Sequence, residues 1–479
     1  MNLHQNKNAA ACVLGLLAPM CFLVGCATDQ GRDVESINRV LREGTRSSKA
    51  TSTRPIDGML SLRDALSTAN ERSETLSLEG EALIRAVVQR RRAVSAFLPG
   101  VGLNPTYQVR DTGQDGSDST DSNLDVPIDA DLVVFDGLRN VNSYWRDVYL
   151  VERQRQLLLD VQEQILLDVG QAYYAVLRAE AQVRVLEGSV SAQEERLRDA
   201  RGRVEAGVAR PLDVAQTLAQ VAATRVTLIE AKRAVADGRS LLQFLMNAPV
   251  DGLRLTDEFD DVLRESAVVE GQSLAQLMTI VARFRSELIA SERGIDAARR
   301  DVRVALGAYY PSVSIRLSAF LYRETAPDER TWEGVLALSL PIFSGGRIKA
   351  DVREAWSFLR EAILIDSQAR RRVGREVGQA LRNLRASEAR LAELEISQTA
   401  AREALRQAEA FYAEGLATNL ERVTAQDVAL QAELALATER IDLQFLRLRV
   451  LRACGTLREN LIDDAAFSAF SFNAKKREP

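Results

Sequence analysis

Two patterns of apolar and polar residues run through the chain, and each occurs twice. The first has a period of two. Val101, Leu103, Tyr107 and Val109 alternate with Gly102, Asn104, Thr106, Gln108 and Arg110. Leu124, Val126, Ile128, Ala130 and Leu132 alternate with Asp125, Asp129 and Asp131, and the segment between, Asp111 to Asn123, is a Gly, Ser and Asp loop. Successive side chains of a strand point to opposite faces, so each run gathers its apolar groups on one face. The plan returns in Ile315, Leu317, Ala319 and Leu321 against Arg316, Ser318 and Tyr322, with Phe320 interrupting the polar face. It returns again in Gly334, Leu336, Leu338 and Leu340 against Val335, Ala337 and Ser339. A strand of about ten residues, apolar on one side, crosses a bilayer when tilted. The same alternation fits a soluble hairpin laid on a core. The neighbouring segments favour the bilayer, because they predict helices too long to fold back as a cover.

The second pattern has a period of seven. Leu158, Ile165 and Ala172 form one line, Leu159, Leu166 and Tyr173 another, and Val169, Val176 and Val183 a third, while Gln162, Asp168, Gln171 and Arg178 cover the remainder. Sevens predict coiled-coil packing, and adjacent lines predict a helix touched on both sides. The helical stretches run from near Leu138 to near Glu205 and from near Arg347 to near Glu414, roughly 100 Å each at 1.5 Å per residue. A Gly-containing break and a helix of about 35 residues follow each. A helix of similar length precedes each hairpin and stops at Pro99 or Pro311, since proline turns the preceding residue away from α geometry. One long helix beside two stacked shorter ones gives matched strips for the wall of a tube; an ordinary coiled coil is the plainer alternative.

The two sets share an order. Ser61-Leu62-Arg63-Asp64-Ala65-Leu66 is answered by Ser273-Leu274-Ala275-Gln276-Leu277-Met278, and Phe97-Leu98-Pro99 by Tyr309-Tyr310-Pro311, both at an offset of 212. Phe135-Asp136-Gly137 answers to Phe343-Ser344-Gly345, and Gly207-Val208-Ala209 with Leu212 to Gly415-Leu416-Ala417 with Leu420, at an offset of 208. A tandem duplication is the reading. It divides the chain into a first repeat, 59–250, with its hairpin at 101–135 and a turn near 207, and a second, 273–457, with its hairpin at 312–343 and a turn near 415. An acidic linker, 251–272, joins them, and a tail, 458–479, follows.

Lys7 precedes an apolar run from Ala9 to Gly25, and Leu23-Val24-Gly25-Cys26 leads into Ala27, Thr28 and Asp29. Residues 1–25 therefore predict a signal peptide. Leu-Val-Gly-Cys resembles the lipobox in which the Cys26 thiol takes a diacylglycerol, with 26–58 as the tether. An ordinary leader or an N-terminal membrane anchor remains the alternative. Beyond Cys26 no apolar run approaches the 20 residues of a spanning helix, so any crossing needs closed β-structure. Four strands cannot close, which requires several chains; three give twelve strands.

Net charge is −5, with both signs interspersed, so no strongly basic balance points to nucleic acid. The one histidine, His4, lies in the leader, so the mature chain offers no imidazole for a metal or a general base. Of Cys12, Cys21, Cys26 and Cys454, only Cys454 is left after cleavage and acylation, so no internal disulfide forms. No GxxxxGK[ST] phosphate loop is present. These absences argue against an enzyme.

The ordered set formed by the tandem halves, Phe135-Asp136-Gly137, Phe343-Ser344-Gly345-Gly346, Gly207, Gly415 and Ala453-Cys454-Gly455-Thr456-Leu457 resembles the TolC-like outer-membrane efflux proteins from about Met59 to Leu457. The resemblance implies a homotrimer with a twelve-stranded barrel in the outer membrane and an α-helical tunnel through the periplasm. It implies a passive exit duct of a tripartite pump or type I secretion system, with no cofactor beyond the lipid on Cys26. Gly207, Val208, Ala209, Gly415, Leu416 and Ala417 would be tunnel tips that meet a periplasmic adaptor, itself joined to an inner-membrane pump. Glu421 matches a position where relatives carry a pore-narrowing carboxylate, Thr424 stands where a second Asp is common, and Asp213 is the first-half counterpart of Glu421. A solvated helix-face role for Glu421 stays open. Asp136 and Ser344 predict N-caps, with Phe135 and Phe343 near a membrane interface. A lipid-anchored coiled-coil scaffold in the periplasm is the alternative function, disfavoured by the alternating hairpins.

Overall fold

A computed structural model describes residues 35, 37, 39, 40, 58–111, 120–256, 274–324 and 331–458. The chain divides into two units, Met1–Glu43 and Gly44–Pro479. In the first, residues 35, 37, 39 and 40 are helical. The predicted leader, Cys26, most of the tether, loop residues 112–119, linker residues 257–272 and tail residues 459–479 lie outside the described residues.

The second unit opens with strand β1 (Met59–Leu60) and helices α1 (Leu62–Arg72) and α2 (Glu74–Ser95). Strands β2 (Gly100–Leu103), β3 (Thr106–Asp111) and β4 (Thr120–Phe135) follow, then α3 (Arg139–Glu205), α4 (Pro211–Met246) and β5 (Arg254–Leu255). The sequel is α5 (Leu274–Phe284), α6 (Ser286–Gly307), β6 (Ser312–Arg323), β7 (Trp332–Ser339), α7 (Arg347–Ala413) and α8 (Asn419–Cys454). Helices α1 and α5 have 11 residues, α2 and α6 have 22, α3 and α7 have 67, and α4 and α8 have 36.

The single helix expected ahead of each hairpin is two. Ser73 (φ −66, ψ 119) and Arg285 (φ −70, ψ 105) are extended and break the rod. At Ser73 the side-chain oxygen accepts from the Leu76 N–H at 3.3 Å, capping α2. At Arg285 the guanidinium turns inward and its Nη1 donates at 2.6 Å to the Arg452 carbonyl, which also accepts from the Gly455 N–H at 3.0 Å at the end of α8. That end closes with Gly455 at φ 76, where an added Cβ would lie 2.8 Å from the Arg285 Cα. No side chain fits there.

The main core sits midway along α3. Leu166, Val169, Tyr173, Val176 and Leu177 pack with Leu62, Ala65 and Leu66 of α1, Leu242 and Met246 of α4, and Leu448 and Leu451 of α8. Each buried Leu of this kind contributes about 2 kcal/mol. The sevens therefore mark core residues, but Gln162, expected on the polar cover, is buried. Its Nε2 donates to Asn70 Oδ1 at 2.7 Å, which satisfies the amide nitrogen side of the group. Strands β1 and β5 pair in parallel, and the buried Tyr173 hydroxyl donates to the Leu60 carbonyl at 2.9 Å, tying the pair to α3.

Candidate channel site

The larger sheet runs β2/β3, β4, β6, β7, with β2 and β3 both antiparallel to β4. They are one strand position interrupted at Asn104-Pro105, where Asn104 N–H still reaches the Pro127 carbonyl at 3.1 Å and Pro105 has no donor to continue. Pro127 lies inside β4 at a register shift, the place where a central strand tolerates proline. Opposite pairs share a face. Val101 faces Ala130, Ala130 faces Leu317, and Ile315 faces Leu336, so one side of the sheet is apolar across every strand position. Leu336 and Leu338 are each 71% exposed, so nothing among the described residues covers that side there.

The other side is a hydrogen-bonded polar ladder. Asp129 accepts from Asn104 Nδ2 at 2.8 Å and from the Ser318 hydroxyl at 2.6 Å, and Asp131 accepts from Arg316 Nε at 2.6 Å. Phe320, the residue that interrupts the predicted alternation, stands opposite Pro127, with the Arg323 guanidinium 4.2 Å from its ring centre. Both outer strand positions, β2/β3 and β7, have one unpaired edge among the described residues.

The strand-to-helix junctions differ between the halves. Gly137 has φ 71 and lies against the end of α6. The N-cap of α3 is Leu138, in left-handed geometry, rather than Asp136, yet Asp136 Oδ2 accepts from the Asn140 N–H at 2.8 Å and so serves the same first turn from two residues further out. At the second junction Gly346 (φ 85) is the N-cap of α7, and Ser344 contributes its carbonyl, accepting from the Arg347 N–H at 3.1 Å. Phe343 is 89% exposed against 38% for Phe135.

Both helix turns end in the same way. Gly207 and Gly415 each have φ 74; Val208 N–H donates to the Arg203 carbonyl at 2.9 Å, and Leu416 N–H to the Phe411 carbonyl at 2.8 Å. These are Schellman closures, which need a residue that accepts left-handed geometry. Val208 and Leu416 are left projecting, and Ala209 and Ala417 follow them.

Asp213 and Glu421 occupy the third position of the next helices. Glu421 Oε2 accepts from the Thr418 N–H at 2.8 Å while the Thr418 hydroxyl accepts from the Glu421 N–H at 3.3 Å, a complete capping box. Asp213 Oδ2 accepts from the Arg210 N–H at 3.3 Å, and Asp213 is buried. Glu421 and Thr424 are exposed. The sequence missed what lies beside them: Asn419, Arg422 and Gln426, all buried. Asn419 Nδ2 reaches the Asp213 carbonyl at 3.3 Å, Arg422 donates to Asn419 Oδ1 at 2.7 Å, and the Arg422 guanidinium lies 4.2 Å from the Tyr412 ring centre. The two turns are thus tied to each other. An i, i+3, i+7 spacing of polar residues facing α4 was the available signal.

Midway along the bundle, Glu163 is almost wholly buried, with Arg452 Nη1 at 3.1 Å, and Arg452 Nη2 also reaches Asp160 at 2.8 Å. Burial pushes the Glu163 carboxyl up to about 7 even though Arg452 pulls the other way. Cys454, also buried, has its thiol pushed up to about 12 by burial, with Arg285 opposing, so it is inert as a nucleophile near neutrality. Among the described residues no group of His, Cys, Asp and Glu is placed to hold a metal ion, and no helix is long and apolar enough to cross a membrane.

Comparison with known proteins supplies the biology. BepC, an outer membrane efflux protein of Brucella suis, is 24% identical over 380 residues, 76% of this chain and 78% of that protein. TtgC, the outer membrane protein of a toluene efflux pump in Pseudomonas putida, is 26% identical over 267 residues, and there the match spans 53% of the relative's length. The fold is that of VceC from Vibrio cholerae (TM-score 0.71, 18% identity, 82% of this chain and 96% of that one) and of the Campylobacter jejuni channel CmeC (0.73, 16%, 87% and 90%). The family described as "Outer membrane efflux protein" matches residues 65–248 and 282–456, so the chain belongs to that family and is an exit duct of the outer membrane.

Proposed function

We propose that three copies of this chain form the duct, each contributing four strand positions to one closed twelve-stranded barrel. The observation that carries this is the sheet: an apolar face exposed along every strand position, with two edges unpaired among the described residues. In lipid an open edge leaves N–H and C=O groups without partners, at several kcal/mol each, so the edges must meet those of other copies. The polar ladder of Asp129, Asp131, Arg316 and Ser318 then faces the lumen. The matched lengths of 11, 22, 67 and 36 residues support a tandem duplication with repeats at 59–250 and 273–457 and a linker at 251–272. The long helices continue the tube into the periplasm.

At its far end, Gly207-Val208-Ala209 and Gly415-Leu416-Ala417 present small and apolar surface for the hairpins of a periplasmic adaptor, and an inner-membrane pump supplies the energy. Glu421, repeated in each copy, narrows the pore with charge, with Thr424 beside it and Asp213 serving its cap. Cys26 carries a diacylglycerol after removal of 1–25, and 26–58 is the tether. No cofactor takes part and no reaction is catalysed. Relatives are named for toluene efflux, pyoverdine export and protease secretion, and the cargo of this duct is left open among such classes.

The test is reconstitution of the purified full-length protein. A detergent-requiring trimer that opens large pores in planar bilayers is expected. A water-soluble monomer without conductance overturns the reading.

A further inference from the structure

The chain is net negative, yet basic residues gather at one level of its helices. Gly100 pairs with Asp131, Phe135 with Val313 and Ser312 with Ser339, so all four strand-to-helix junctions lie at one end of the sheet. On the helical side of those junctions, Arg91 and Arg92 stand in the last turns of α2, Arg299 and Arg303 in the last turns of α6, and Lys349 and Arg353 in the first turns of α7, and all six are exposed. At 1.5 Å per residue, all but Arg299 lie within roughly 10 Å of their helix end. Among the described residues Arg91, Arg303, Lys349 and Arg353 form no ion pair; the nearby carboxylates Asp296 and Asp351 bond Arg299 at 3.0 Å and Arg347 at 3.5 Å.

Packing sets the direction in which this collar faces. Helix α6 lies between α3 and α7. Asp301 reaches Arg146 of α3, while Ala298 and Val302 pack with Ala355 and Leu359 of α7. In a closed wall both neighbours sit inward of a helix's centre, so its wider free arc faces out. On α6 that arc carries Arg299 and Arg303. On α3, Arg146 turns to α6 and Gln154 bonds Glu79 of α2, which leaves Val141 and Trp145 on the outward arc. Carrying the same handedness to α7, whose Ala355 and Leu359 turn to α6, puts Lys349, Arg353 and Trp356 on that side. Trp145 and Trp356 are 43% and 46% exposed, and the Arg300 guanidinium lies 5.8 Å from the Trp145 ring centre.

We infer that this outward collar seats on the phosphates of anionic phospholipids in the leaflet that borders the periplasm. The inference rests on the proposed placement of the sheet in the bilayer. The headgroup layer adds about 5–7 Å beyond the hydrocarbon on each side, which brings it to the level of Arg303, Lys349 and Arg353. Long basic stems reach further, with their apolar part along the helix and their charge at the phosphates. Tryptophan suits the same depth, with its ring toward the acyl chains and its N–H toward water. Six cations, with Asp296 the carboxylate among them, favour a net-negative headgroup over a zwitterionic one. Each lysine or arginine near such a surface strengthens attachment about fivefold. The contact is exposed, so salt weakens it.

The three tryptophans supply the probe, because Trp332 opens β7 at the far end of the sheet from Trp145 and Trp356. Full-length protein is reconstituted in phosphatidylcholine vesicles doped with brominated phosphatidylglycerol or with brominated phosphatidylcholine, and tryptophan fluorescence is read. In Trp332→Phe only the collar tryptophans emit. There phosphatidylglycerol should quench with about fivefold higher affinity at low salt, and the difference should shrink as salt is raised. Adding Arg91→Gln, Arg303→Gln and Arg353→Gln should remove most of that preference, whereas the three matching lysine substitutions should keep it. With Trp145→Phe and Trp356→Phe, the remaining Trp332 should quench equally with both lipids. No preference at the collar, a preference that the glutamines leave intact, or an equal preference at Trp332 overturns the collar, while quenching by either lipid leaves the sheet in the bilayer. If neither lipid quenches any of the three tryptophans, the bilayer placement itself falls.

Discussion

Gly137 and Gly307 stand so close that neither has room for a β-carbon. An added Cβ on Gly137 would lie 2.2 Å from the Gly307 carbonyl oxygen, and one on Gly307 would lie 2.7 Å from the Gly137 carbonyl oxygen. The contact holds the exit of β4 against the end of α6, and so fixes how the sheet of one half is joined to the bundle of the other. Gly137→Ala adds both a steric conflict, about 1–3 kcal/mol, and a left-handed alanine, about 1 kcal/mol. A loss of about 2–4 kcal/mol in stability is expected by thermal melting in detergent. Gly202→Ala in α3, where nothing lies within 4 Å and the backbone is helical, is the control and should be neutral or gain up to about 1 kcal/mol.

The buried Glu163 makes part of the stability depend on pH. Its carboxyl is raised from 4.5 to about 7, by burial first, against the pull of Arg452, Arg458 and Arg285 and with a further push from Asp160. A carboxyl raised in the folded state favours folding when protonated. Its contribution is complete below about pH 4.5 and is lost as pH rises through 7, up to about 3 kcal/mol in all. Glu163→Gln fixes the neutral form. The melting temperature of the parent minus that of the variant should therefore fall between pH 5 and pH 8. A flat difference would show that the Arg452 pair keeps Glu163 ionised throughout.

Much of this fold is legible in the sequence where one kind of residue has one job. The period of two in β4 is clean because Leu124, Val126, Ile128 and Ala130 face one way and Asp125, Asp129 and Asp131 the other. The sevens of α3 mark Leu166, Val169 and Tyr173, each buried. What escaped depends on partners distant in sequence. Arg285 stands at a helix break with its guanidinium on the Arg452 carbonyl, 167 positions away, and no local propensity records that. Gln162 reads as surface until Asn70, 92 positions away, accepts its bond. Asn419 and Arg422 are buried where α4 and α8 meet at the turns, a contact between segments 206 positions apart.

The turn glycines give a prediction that separates shape from folding. Gly207 and Gly415 close their helices in left-handed geometry at the ends of 67-residue rods, far from the core. Gly207→Trp with Gly415→Trp costs about 1–2 kcal/mol at each turn, small beside the packing of α3 and α7. Oligomers should survive on gels, while the bulky rings block the face offered to an adaptor. Export of a toxic compound, read as growth on increasing doses, should fall to the level of a deletion strain. Normal growth of the double variant would remove the adaptor role from these turns.

Glu421 has two roles to be told apart, a cap and a pore charge. Its Oε2 accepts from the Thr418 N–H, and a glutamine at 421 keeps an acceptor oxygen in that place. Glu421→Gln should therefore change stability by less than about 0.5 kcal/mol, the scale of one exposed charge near a helix N-terminus. A carboxylate ring across the pore answers differently. Each copy loses one negative charge, and the attraction of cations to a narrow, poorly solvated aperture falls with it. In single-channel recordings the preference for potassium over chloride should drop in Glu421→Gln and rise in Thr424→Asp, with the melting temperature unmoved in the first. If both variants keep the parental ion preference, Glu421 is a cap residue on a solvated helix face.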